Sequence, residues 1–113
     1  TWEATEAFHL DKSPHVDAWV KNDHLGFEII YIFKGVVRKY RPDFIIHLTT
    51  GDFMVLETKG QETQEDKTKI NFLEEWVKAV NNHGGFGRWL LAVSKNPADV
   101  PGILSEAVSK LEQ

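Results

Sequence analysis

Two apolar runs rich in β-branched residues, Phe44-Ile45-Ile46 through Leu48 and Phe53-Met54-Val55-Leu56, flank Thr49-Thr50-Gly51-Asp52. Thr, Gly and Asp supply tight-turn chemistry, so the chain is expected to fold back on itself here as a β-hairpin. Folding about Thr50 and Gly51 sets Asp43 opposite Thr58. A slip of one residue either way sets it opposite Glu57 or Lys59, so any of these registers gathers Asp43, Glu57 and Lys59 at the open end.

With 113 residues, 42% of them hydrophobic, the chain has the material for one domain, spanning residues 1–113, and little surplus for a second core. It contains no cysteine, which removes disulfides and thiolate metal sites and leaves oxygen or imidazole ligands for any cation. No apolar run approaches the roughly 20 residues that cross a bilayer, and the start resembles neither a signal peptide nor a lipidation site. The expected location is the cytoplasm, without membrane attachment. The chain opens on threonine with a helix-like pattern already under way, which suggests a piece of a longer polypeptide. A net charge of −4 speaks against a domain that holds DNA through bulk electrostatics. Even so, Lys34, Arg38, Lys39 and Arg41 lie just before Pro42, and Lys59, Lys67 and Lys69 follow the hairpin, gathering positive charge around it. The alternative is that these are solvated strand and helix faces.

Residues 2 to about 10 show a weak helical pattern with acidic groups early, where they favour a helix N-terminus. Ser13-Pro14 followed by Val16, Trp19 and Val20 suggests a second short helix ending at Asn22. Residues 27–33 and 36–40, separated by Gly35, read as a strand pair, and the hairpin follows. From residue 65 to about 82, Ile70, Leu73, Val77 and Val80 recur at helical spacing. Trp89 opens a buried strand, and Pro97 leads to a closing helix. The expected order is α, α, β, β, β, β, α, β, α. A helix between strands implies a parallel crossover, so a mixed α/β sheet flanked by helices is expected.

Alternation along the second hairpin strand puts Glu57 and Lys59 on one face. A carboxylate that ends an apolar strand needs a partner, and a hard cation is a natural one. Mg²⁺, or Mn²⁺ in its place, could take Asp43, Glu57 and the Thr58 carbonyl as part of its shell and keep positions for water and a phosphate oxygen. Such a cation favours phosphodiester cleavage, with Lys59 orienting or deprotonating water and screening the transition-state charge. Glu57-x-Lys59 also fits a plain ion pair on an edge strand, and Asp43 after Pro42 fits an ordinary turn.

Tyr40-Arg41-Pro42-Asp43-Phe44 together with Leu56-Glu57-Thr58-Lys59-Gly60 resembles the PD-(D/E)xK nuclease signature. A wider set of segments resembles the C-terminal endonuclease domain of the restriction (Res) subunit of type III restriction-modification enzymes. These are Trp2-Glu3, Val20-Lys21-Asn22-Asp23-His24-Leu25-Gly26-Phe27, the hairpin, Gly87-Arg88-Trp89 and Pro97-Ala98-Asp99-Val100-Pro101, which together span nearly the whole chain. The resemblance implies a restriction-endonuclease-like fold, Mg²⁺ dependence and double-stranded DNA as substrate. It further implies an upstream helicase-like ATPase motor in the same polypeptide and a methyltransferase (Mod) subunit as partner. No GxxxxGK[ST] phosphate loop occurs in the chain. Nucleases of this superfamily often carry another acid on the first helix. Glu3 is the preferred candidate here, Glu6 the second, and stabilisation of the helix N-terminus the competing explanation for both.

Lys67 and Lys69 are candidate phosphate contacts, with Arg41 on the other side of the hairpin, although the helical angle between the two lysines keeps them from facing one groove squarely. Gln61 is a weaker candidate. The five histidines show no ligand spacing, and His47 reads as a polar residue on the sheet. Trp19, Trp76 and Trp89 read as core rather than base-stacking platforms. The competing function is a noncatalytic module that keeps the nuclease fold for nucleic-acid or protein docking.

Overall fold

The computed structural model describes residues 2–23, 25–59 and 63–112, with the side chains of residues 2–4 excepted. Helix α1 (Trp2–Lys12) precedes strands β1 (Val16–Lys21), β2 (Ile29–Phe33), β3 (Val36–Tyr40), β4 (Phe44–Leu48) and β5 (Phe53–Thr58). Helix α2 (Gln64–His83), strand β6 (Trp89–Ser94), a single 3-10 turn (Pro97–Asp99) and helix α3 (Val100–Leu111) complete it. A four-stranded sheet runs β1-β4-β5-β6, antiparallel except for the parallel pair β5/β6 that α2 connects. The architecture is α/β, a mixed sheet flanked by helices. Among the described residues, no helix is long and apolar enough to cross a membrane.

Residues 16–21 form a strand, not the short helix expected from Ser13-Pro14. Ser13 does not cap a helix: its hydroxyl accepts the backbone N–H of His15 at 3.1 Å, closing a turn. Six residues give too little helix to repay nucleation, whereas pairing with β4 satisfies their backbone groups in a ladder. Trp19 then packs edge-on against Phe44, ring centres 5.8 Å apart. β2 and β3 pair with each other, as the two runs around Gly35 predict, and form a ribbon separate from the main sheet.

The β4–β5 hairpin forms as the turn chemistry dictates, with a loop one residue longer than the two-residue turn expected. Gly51 N–H donates to the Leu48 carbonyl at 2.9 Å, and Leu48 N–H donates to the Asp52 carbonyl at 2.8 Å. Gly51, at φ 91°, takes the left-handed position that a three-residue loop requires. The extra loop residue moves the register by one. Phe44 pairs with Leu56, so Asp43 continues level with Glu57 rather than Thr58.

Alternation splits the hairpin between two cores. Phe44, Ile46, Leu48, Met54 and Leu56 meet Leu10 of α1 and Val100 and Leu104 of α3 on one side. Val55 meets Leu73 of α2 and Ile29, Tyr31 and Tyr40 of the ribbon on the other. Glu57 and Lys59 have the parity of Val55 and so lie on the side of α2. The start of α2 is fixed by a capping box, in which the Thr63 hydroxyl and the Asp66 carboxylate each accept the other residue's backbone N–H.

Candidate active site

The site forms where β4 begins and β5 ends. Asn22, which is buried, holds the entry to β4: its N–H donates to the Asp43 carbonyl at 2.8 Å. Its Nδ2 donates to the carbonyls of Pro42, at 2.9 Å, and Phe27, at 2.8 Å. Asp43 is thereby fixed in backbone position while its side chain turns toward β5. Its Oδ2 accepts both the Thr58 N–H, at 2.9 Å, and the Thr58 hydroxyl, at 2.7 Å.

The same Thr58 N–H reaches Glu57 Oε1 at 3.2 Å. One backbone donor is shared by two carboxylates, so Asp43 Oδ2 and Glu57 Oε1 are no farther apart than the sum of these two short distances. Glu57 is only 6% exposed. Burial pushes its carboxyl up to about 7, against the lesser pull of Lys59 and of the Thr58 N–H. Its charge is incompletely matched by the protein around it.

Lys59, 8% exposed, continues the parallel pairing through its N–H to the Ser94 carbonyl at 2.9 Å. Its ammonium lies 3.3 Å from Asp66 Oδ1. Lys69 Nζ stands 3.9 Å from the same oxygen, over the rings of Tyr31 and Tyr40 at 5.8 and 5.5 Å, and contributes to the field at Glu57. Beside it, Glu65 accepts from the Tyr31 hydroxyl at 2.5 Å and from Arg38 at 3.1 Å, tying the ribbon to α2. The Tyr31 hydrogen bond, ahead of the other influences, holds the Glu65 carboxyl low, and burial raises the Tyr31 phenol.

Asp43, Glu57 and Thr58 are therefore brought together, with Lys59 next along the chain, its charge felt at Glu57 and its ammonium against Asp66. Of the three basic residues expected at DNA, Lys69 lies at the site, Lys67 is exposed on α2, and Arg41 is exposed and paired with Glu28 at 3.1 Å. Glu3 lies in the first turn of α1 with its side chain outside the described residues, whereas Glu6 is fully buried. Gln61, with Gly60 and His24, falls outside the described residues. His47 pairs with Asp17 at 2.9 Å and packs on Phe53, as a polar residue on the sheet does. Two residues escaped the sequence reading. Asp66 was signalled by the Thr63-x-x-Asp66 capping pattern ahead of an apolar helix, while Asn22 carried no recognisable pattern, because its partners are backbone carbonyls, one of them twenty residues on.

Among the described residues, no three or more His, Cys, Asp or Glu side chains converge as a metal-ligand cluster. The donors present are the paired carboxylates of Asp43 and Glu57. A buried carboxylate with one backbone donor and incomplete charge compensation suits a hard cation that fills the rest of its shell with water and backbone oxygen. Comparison with protein-family models, curated proteins and solved structures gave no match.

Proposed function

We propose that this chain is a Mg²⁺-dependent endonuclease domain of the PD-(D/E)xK type that hydrolyses phosphodiester bonds of double-stranded DNA. The observation that carries the reading is the meeting of the Asp43 and Glu57 carboxylates on one Thr58 N–H, with the Lys59 ammonium buried on the Glu57 side of the sheet. A hairpin followed by a helical crossover to a parallel strand supports a restriction-endonuclease-like core around it. Asp43 and Glu57 would hold Mg²⁺ or Mn²⁺ with the Thr58 carbonyl. When bound, the cation supplies positive charge against the scissile phosphate and lowers the pKa of water.

This chain's residues do the rest. Thr58, through its N–H and hydroxyl, keeps Asp43 turned toward Glu57. Lys59 orients the attacking water or takes its proton, and screens the charge that builds on the phosphate oxygens as the new P–O bond forms and the old one breaks. Lys69 stands near enough to meet a phosphate, and Glu3 on α1 is the proposed additional acid. Within this reading the domain serves a cytoplasmic type III restriction-modification system, alongside an upstream helicase motor and a methyltransferase subunit.

Supercoiled plasmid incubated with the protein and Mg²⁺ or Mn²⁺ is expected to be nicked, with the activity lost in EDTA and in Asp43→Ala. Equal nicking by wild type and Asp43→Ala would overturn the assignment. One observation favours the noncatalytic docking module: Ile30, Ile32 and Val37 are exposed on one face of the β2–β3 ribbon. On that reading Ile32→Glu abolishes the module's function, whereas on the nuclease reading it leaves nicking intact.

A further inference from the structure

The first turn of α2 places a carboxylate against the one buried cation among the candidate site residues. Asp66 divides its two oxygens between two tasks. Oδ2 accepts the Thr63 N–H at 3.2 Å and the Thr63 hydroxyl at 3.0 Å, which fixes the carboxylate to the start of the helix. Oδ1 faces the Lys59 ammonium at 3.3 Å. The Lys59 side chain is 7% exposed, so water cannot solvate its charge freely, and the geometry of the ammonium depends on the protein groups around it. Glu57 faces it from β5, and Asp66 and Lys69 from α2. Glu57 takes the Thr58 N–H at 3.2 Å, whereas Asp66 is fixed by the helix cap through one oxygen and leaves the other for the ammonium.

We propose that Asp66 is the positioning residue of the site: anchored by the Thr63 cap, it holds the Lys59 ammonium beside the Asp43–Glu57 pair and so sets the group that acts on the attacking water. The proposal rests on the nuclease reading for its catalytic half and on geometry alone for its placement half. It makes the helix start part of the site. A lysine of this kind on a flexible stem has many rotamers, and a fixed carboxylate selects one of them before substrate arrives.

Three variants separate this role from plain stability. In Asp66→Asn the amide oxygen can still accept from Thr63, but the partner of Lys59 is no longer an anion. Nicking should fall by about 10- to 100-fold, the cost typical of losing an outer-shell partner, in kcat with KM for DNA unchanged. Asp66→Glu keeps the charge and should recover most of the rate. Thr63→Ala weakens the cap and should lower Tm more than it lowers kcat.

A second readout needs no turnover. In protein labelled at lysine Cε, with the Lys59 signal assigned through Lys59→Arg, the Lys59 methylene pair should stand apart from the exposed lysines and move toward them in Asp66→Asn. Wild-type nicking with undiminished Asp66→Asn turnover, or an unmoved Lys59 signal, would overturn the positioning role. A wild-type chain no more active than Asp43→Ala, with the Lys59 signal moving as expected, would instead overturn the nuclease reading and the catalytic half with it.

Discussion

The two ends of the β4–β5 hairpin each bury an acid, and the protein treats the two in opposite ways. At the turn, Asp52 is 8% exposed and accepts from Arg88 Nε and Nη2, each at 3.1 Å, and from the Thr50 hydroxyl at 2.7 Å. The Arg88 hydrogen bonds, ahead of the opposing effect of burial, hold its carboxyl below the usual aspartate range. At the open end, Glu57 is as deeply buried, yet its carboxyl is raised to about 7, chiefly by burial, while the Lys59 ammonium that pulls it back lies against Asp66. One acid is fully served by structure. The other is only partly compensated, by the Thr58 N–H and the Lys59 and Lys69 charges, beside a second carboxylate, which is the condition expected of a group reserved for a cation or a proton.

The largest effect belongs to the open end: Asp43→Ala, Glu57→Ala and Lys59→Ala should each reduce plasmid nicking to background with circular dichroism unchanged. A Lys59→Ala protein that nicks normally would break the comparison, because the open end would then be structural like the turn.

Next comes stability. Glu57 binds its proton more tightly in the fold than in the unfolded chain, with pKa about 7 against 4.5, so stability falls as pH rises through that window and levels off above it. Glu57→Gln should therefore be more stable than wild type by up to about 3 kcal/mol at about pH 8, and the advantage should vanish near about pH 4. Thermal melts across that range check it, and equal melting at the high end would show that the charge is matched after all.

The turn should show the opposite sign. The depressed Asp52 carboxyl stabilises the fold above its ordinary value of 3.8, and this is lost as pH falls through the lower folded value. Arg88→Ala should lower Tm by a few degrees at neutral pH, with the gap to wild type closing in acid. A gap that widens in acid would contradict the pairing.

The smallest effects lie on α2. Lys69→Ala should raise KM for DNA several-fold, while Lys67→Ala, exposed and away from the Glu57 field, should change stability by no more than about 0.5 kcal/mol. Filter-binding titrations and melts separate them.

The hairpin was legible because its signals are local: β-branched runs set the strands, and Gly51 sets the turn. The crossover helix was legible for the same reason, with Leu73 and Val77 at helical spacing and buried as that spacing requires. What sequence missed was settled by distant partners. Val16 and Trp19 fit a helical stripe as well as a strand, and only β4, nearly thirty residues on, decides for the strand. The loop length turned on whether Leu48 bonds to Gly51 or beyond, which moved Asp43 from Thr58 to Glu57 without dispersing the site. Asp43, Glu57 and Lys59 could be named because the slip was small. The Thr63-x-x-Asp66 cap was itself a local pattern, but the contact of Asp66 with Lys59 and that of Asn22 with Pro42 are made across the fold, which no local pattern records.

A carbon-detected NMR titration of the Glu57 carboxyl, with and without Mg²⁺, tests the central claim most directly. A midpoint near 7 in the cation-free protein, moved downward by Mg²⁺ in wild type but not in Asp43→Ala, is the predicted result. A midpoint at the ordinary value of 4.5, or one that Mg²⁺ leaves in place, would contradict an open hairpin end built to hold a divalent ion.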